Sequence, residues 1–179
     1  MATGYVNSSY MPDAKGYSIG SGYCWQQGMN PSVSLYSEIW DKWCVPKHSF
    51  IGWLVKHESL NTKDKLYKLH LTDNDCCILC AASPETHMHL FKYCNYSKQI
   101  LAMIEDWMQL KLEYGIQKGT ELQKHVCRMA QLACWYYNWI ERNNCRIDLK
   151  LTRPACVVKE IQRLVHASDV NIICAHLVP

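Results

Sequence analysis

Four side chains able to hold a metal ion fall between positions 77 and 94 of this chain: Cys77, Cys80, His89 and Cys94. Two residues separate the first cysteine pair, eight lead on to His89, and four more reach Cys94. A two-residue gap lets both thiolates reach one ion from a tight turn, as in structural zinc sites. An imidazole and a third thiolate from the turn that follows complete a soft tetrahedral donor set, which suits Zn2+. Four protein donors leave no position for a bound water, so the expected ion is structural. Spacing leaves two local alternatives open: Cys76 for Cys77, and His87 for His89. It also sets a constraint. Residues five apart on a regular helix point about 140° from each other. Cys94 must therefore lie past the helix that carries His89, or the last turn must distort. Asn95 suits a helix end at that point.

The other cysteines bear on the redox compartment. The chain has 11 of them, and Cys24, Cys44, Cys127, Cys134, Cys145, Cys156 and Cys174 are scattered singly, as small buried hydrophobes are. The first thirty positions hold no apolar leader core, and no run is long and apolar enough to span a bilayer. The expectation is a soluble intracellular protein, in nucleus or cytoplasm, with reduced thiols and no membrane partner. With 49% hydrophobic and 20% charged residues, the composition is that of a globular chain rather than a disordered one.

Periodicity predicts a mainly α protein: a small helical domain around the zinc site, then a helical tail. A loose lead segment runs from Met1 to Pro31, Gly-, Ser- and Tyr-rich from Thr3 to Gly22, with an extended stretch near Tyr17–Ile19. A helix capped by Ser32 or Ser34 carries Tyr36, Ile39, Trp40 and Trp43 and stops at Pro46. The next turns Phe50, Trp53, Leu54 and His57 inward, and Thr62 caps a third with Leu66 and Leu69. After a loop over 71–84, helical character returns near Glu85 through Met88, Leu90 and Phe91. A helix from Tyr96 to about Tyr114 buries Ile100, Leu101, Ile104, Trp107 and Met108, and Gly115 and Gly119 break it. The strongest pattern runs from Glu121 to about Asn143, with Leu122, Val126, Met129, Ala130, Ala133, Tyr137 and Ile140. Pro154 opens a last helix striped by Val157, Ile161, Leu164 and Val165, and an apolar tail follows over 170–178.

Several stretches in one order carry a family likeness. They are Tyr17-Ser18-Ile19-Gly20-Ser21-Gly22-Tyr23, Ile39-Trp40, Val45-Pro46-Lys47-His48-Ser49-Phe50-Ile51-Gly52-Trp53-Leu54, Leu60-Asn61-Thr62-Lys63-Asp64-Lys65-Leu66, and Cys77-Ile78-Leu79-Cys80 with Glu85-Thr86 and His89-Leu90-Phe91 through Cys94. Together they resemble the zinc-binding domain found downstream of the reverse transcriptase in plant LINE-type (non-LTR) retrotransposon polyproteins. Gly20 and Gly22 depart from the residues common there. The resemblance implies Cys77 and His89, rather than Cys76 and His87, as ligands beside Cys80 and Cys94. Trp139-Ile140-Glu141-Arg142-Asn143-Asn144 is similar to the helical region that often follows this domain and precedes an RNase H. The resemblance implies a loose segment over 1–16, a zinc-binding domain over 17–98 and a helical region over 99–179, within a piece of such a polyprotein or a host gene derived from one.

Catalytic signatures are missing from the sequence. No aspartate pair stands beside an aromatic as a polymerase palm requires, and Asp73-Asn74-Asp75 falls in a polar loop. Nucleophile elbow, phosphate loop and zinc-protease motifs are absent too. The expectation is no enzyme, no catalytic residue and no small-molecule substrate. The net charge of +3 is mildly basic, and it is unevenly spread. Residues 41–70 hold six Lys against three Asp or Glu, and residues 141–166 hold six Lys or Arg against three. With interleaved Trp, Tyr and His, this favours RNA or DNA as the partner. The alternatives are a zinc-stabilised scaffold for a protein partner and a degenerate retroelement fragment.

Overall fold

Pro46 has no N–H to donate and a fixed φ, so it serves a helix best in the first turn. It opens helix α1 (Pro46–Lys56) of the computed structural model, which describes residues 39–40 and 44–167. The described residues fall within one unit, Ser37–Pro179. Then come α2 (Lys63–Lys68), a π turn (His89–Tyr93), α3 (Asn95–Met108), α4 (Leu112–Lys118), α5 (Glu121–Asp148) and α6 (Pro154–Ala167). Extended pairing among the described residues is limited to one antiparallel bridge, Cys76 with Pro84. The chain is mainly α, as its periodicity implied. The loose N-terminal segment, the stretch at 17–23, most of the Tyr36–Trp43 helix and the apolar tail lie outside the described residues.

Helix α5 organises the rest, packing against α1, α3, α4 and α6. Thr120 and Gln123 form a reciprocal capping box at its start, which satisfies two otherwise orphaned backbone donors. Val126, Cys127, Met129, Ala130, Leu132, Ala133 and Cys134 are all buried along it. From α3 come Ile100 and Ile104, each 0% exposed, and from α6 come Val157, Val158, Ile161 and Val165. Burial of each such aliphatic side chain contributes roughly 1.5–3 kcal/mol.

Four sequence expectations need correction. The buried face of α1 is His48, Ser49, Gly52, Trp53 and Val55, not the stripe through Phe50, Leu54 and His57. The reason is close packing at Gly52, where an added Cβ would overlap the Leu132 side chain of α5. The helix expected over 96–114 stops at Met108, because Gln109 adopts the left-handed conformation (φ 52°) and ends it. Glu105 then accepts the Leu112 N–H (3.1 Å) and so anchors the start of α4. Gly115 does not break a helix but lies inside α4, where an added Cβ would overlap Cys127 Sγ of α5. Helix α5 runs five residues past Asn143, and Leu149 (φ 54°) ends it. Left-handed ends at ordinary residues carry no sequence signal of the kind that a glycine gives.

Candidate metal centre

The Cys77–Cys80 turn is tied down from both sides by main-chain bonds. Cys77 N–H donates to Ser83 O (2.8 Å), Ala81 N–H to Cys77 O (2.8 Å) and Glu85 N–H to Asp75 O (2.7 Å). Ala81 turns left-handed (φ 52°) straight after Cys80, which reverses the chain. The returning strand of the loop brings Thr86, whose Oγ1 accepts the His89 N–H (3.0 Å).

The constraint on Cys94 is met by changing the helix type. His89–Tyr93 is a π turn, and the Cys94 N–H donates to His89 O at 2.7 Å, five residues back. That bond stacks residue 94 over residue 89, which a regular α turn does not do. Ser97 Oγ donates to Leu90 O (2.7 Å), so this buried carbonyl is satisfied. The π turn ends where expected, at Tyr93, with Cys94 (φ −59°, ψ 130°) past it, and Asn95 is the first residue of α3. The Tyr96 and Ser97 backbone amides then face the Cys94 sulfur, where a helix N-terminus favours negative charge.

The donor atoms of Cys77, Cys80, His89 and Cys94 all lie within 4.8 Å of one another. Sulfurs 2.3 Å from a tetrahedral zinc stand about 3.8 Å apart, and Cys77 Sγ to Cys94 Sγ is 3.9 Å. Cys80 Sγ and His89 Nε2 are 3.2 Å apart, so Nε2 is the ring nitrogen turned to the sulfurs. Cys77 and Cys94 are 1% and 0% exposed, whereas Cys80 and His89 are half-buried. Contact with Cys77, then the Ser97 and Tyr96 amides, lower the pKa of the Cys94 thiol against the opposing effect of burial, while the same contact raises that of Cys77. A thiolate so favoured is a ready metal ligand. The donor set and its spacing fit structural zinc.

Neither spacing alternative is part of this cluster. Cys76 spends its backbone on the Pro84 bridge and on an N–H bond to Asn74 Oδ1 (3.2 Å). His87 is buried and turned to Phe91 (ring centroids 5.0 Å). Burial first, against the nearby Glu58 carboxylate, holds its pKa below the ordinary value. Two buried charged residues within the quoted motifs take roles that sequence reasoning missed. Glu85 is 0% exposed, and its Oε1 accepts the Lys63 N–H (3.0 Å) at the start of α2. Thr62 is the N-cap residue as expected, but its hydroxyl turns to Asp64 Oδ1, so the carboxylate of Glu85 serves as the side-chain acceptor there. Arg142 on α5 is 1% exposed and pairs with Glu85. A buried carboxylate demands a cationic partner, but nothing in a single sequence says which.

Fold and donor set define a helical module built on one Cys3His metal centre. Residues 17–100 match the family described as zinc-binding in reverse transcriptase, which supports a zinc-binding domain of that kind over this stretch. All four donors fall inside it. No curated protein and no solved structure matches the chain. Among the described residues no helix is long and apolar enough to cross a membrane.

Proposed function

We propose that this protein is a zinc-stabilised nucleic-acid-binding module of plant LINE-type retrotransposon descent, with no catalysis of its own. Cys77, Cys80, His89 and Cys94 are its ligands, and zinc supplies a fixed point that pins the 76–84 loop to α3. A filled tetrahedron has no place for a reacting water, which is why the reading is structural.

The observation that carries nucleic-acid binding is the pairing of lysines with aromatic rings along α1 and α5. Lys47 Nζ stands 5.0 Å above the Tyr136 ring, and Lys56 Nζ 5.9 Å from the Trp135 ring. Both lysines are exposed and both rings half-buried. Ammonium groups beside π-faces suit a phosphate backbone with unstacked bases. The test is binding of the zinc-loaded protein to single-stranded RNA and DNA over a salt series. Lys47→Ala/Lys56→Ala removes two phosphate-binding charges and should lower the slope of log K against log salt by about 1.4 on a single strand. Binding that ignores salt, or a double variant that behaves like the parent, refutes this reading.

A protein-interaction scaffold is the second reading, favoured by Ile147, Leu149 and Leu151, which are 76%, 88% and 45% exposed. Partners retained after nuclease treatment, and lost on Leu149→Asp, support it over the first.

A further inference from the structure

The strongest unassigned feature of the described residues is the buried pair of Glu85 and Arg142. Arg142 Nε and Nη2 each stand 2.8 Å from Glu85 Oε1, with the two side chains 1% and 0% exposed. The same Oε1 caps α2 through Lys63 N–H, and Oε2 faces the Ile78 N–H at 3.4 Å. Ile78 is the first residue inside the Cys77–Cys80 turn. Glu85 also donates its own N–H to Asp75 O, just ahead of that turn. The guanidinium is held in its turn: Nη2 donates to Asn61 O (3.2 Å), Nη1 to Asn143 Oδ1 (3.0 Å), and the group lies 4.9 Å from the Trp139 ring centre.

Buried ion pairs contribute little net stability, since desolvation offsets the attraction. What such a pair does supply, when its hydrogen bonds are met, is a fixed position. Glu85 touches both sides of the loop that presents two of the four donors, and Arg142 holds Glu85. Yet Arg142 lies on α5, outside the residues 17–100 that match the zinc-binding family.

We propose that Arg142 is a positioning residue of the metal centre: through Glu85 it holds the Cys77–Cys80 turn in ligating geometry, so the metal-binding unit includes α5. The inference rests on the zinc ligands and is independent of nucleic-acid binding. Metal affinity and the docking of α5 are then coupled, each strengthening the other by the same factor.

The test uses the full chain and competes bound Zn2+ against a chromophoric chelator, with Co2+ substitution to report ligand geometry. Outer partners of a metal site typically change affinity 10–100-fold. Arg142→Met should weaken metal binding within that range and shift the Co2+ d–d bands, with α-helical circular dichroism retained. Arg142→Lys keeps the charge but loses the fork, so it should fall between Met and the parent. It carries the same test should the Met variant not fold. Glu85→Gln combined with Arg142→Met should cost less than the two single losses multiplied, because the residues act as one unit. Thr120→Ala loosens the far end of α5 without touching Glu85, and it should leave metal affinity unchanged. Unaltered affinity and Co2+ spectra in both Arg142 variants overturn the proposal. So does a Thr120→Ala loss as large as that of Arg142→Met, because global stability alone then explains the effect. A parent protein that binds no metal overturns the ligand assignment itself, which separates the two failures.

Discussion

Acidification should destabilise this protein through one histidine that has nothing to do with the metal. His48 sits in the first turn of α1, 1% exposed, with its ring 4.4 Å from that of Tyr136 and 5.9 Å from that of Tyr137. Neither ring nitrogen has a hydrogen-bond partner among the described residues. Burial, with the Lys47 charge adding to it, lowers its pKa from 6.5 to about 4. The unfolded chain therefore takes up a proton near pH 6.5, and the folded chain does so only near pH 4. Stability is at its full value above 6.5 and falls as the pH drops between those two values. Linkage gives a loss of RT ln[(1+10)/(1+0.03)], about 1.4 kcal/mol, at pH 5.5, against about 0.1 at pH 7.5. The loss approaches about 3.4 kcal/mol below pH 4. Urea unfolding of the zinc-loaded parent and of His48→Gln, compared at pH 7.5 and 5.5, isolates this effect. Proton competition for the thiolates is common to both and cancels in the difference. The parent should lose about 1.3 kcal/mol more than the variant over that interval. Parallel pH curves for the two proteins refute the reasoning.

Two further outcomes follow from the geometry. Chelation, Cys77→Ser or His89→Ala should remove bound zinc and lower the melting temperature sharply, whereas Cys76→Ser and His87→Ala should retain one zinc per chain by elemental analysis. Gly115→Ala gains roughly 1 kcal/mol of helix propensity but crowds Cys127, at a cost of roughly 1–3 kcal/mol, so a net loss of up to about 2 kcal/mol is expected in denaturant unfolding. Adding Cys127→Ala should restore most of it, because the new methyl then occupies the space the sulfur left.

Helix identity was largely legible along the chain because apolar spacing reports one face of a helix whatever it packs on. The long pattern after Glu121, the start at Pro154 and the α3 stripe through Ile100 and Ile104 all come out this way. Where a helix stops was less legible. Gln109 and Leu149 take left-handed backbone without being glycine, and Gly115 leaves room for a neighbouring sulfur and makes no turn. The buried face of α1 differs from its apolar stripe since Gly52, having no side chain, adds nothing to such a stripe and yet packs tightly against Leu132.

At the metal centre, residue types and spacing alone named a soft four-donor set and flagged the five-residue step from His89 to Cys94 as incompatible with a regular helix. Those are local properties: ligand chemistry belongs to side chains, and angular offset follows from residue count. Spacing left Cys76 and His87 open, and the family likeness pointed to Cys77 and His89, the pair that the cluster brings together. Only the folded chain decided that a π turn absorbs the step and that Glu85 meets Arg142 across 57 residues. Each of these depends on which groups are brought together once water is excluded, and a buried charge or carbonyl takes whatever partner the packing places within reach.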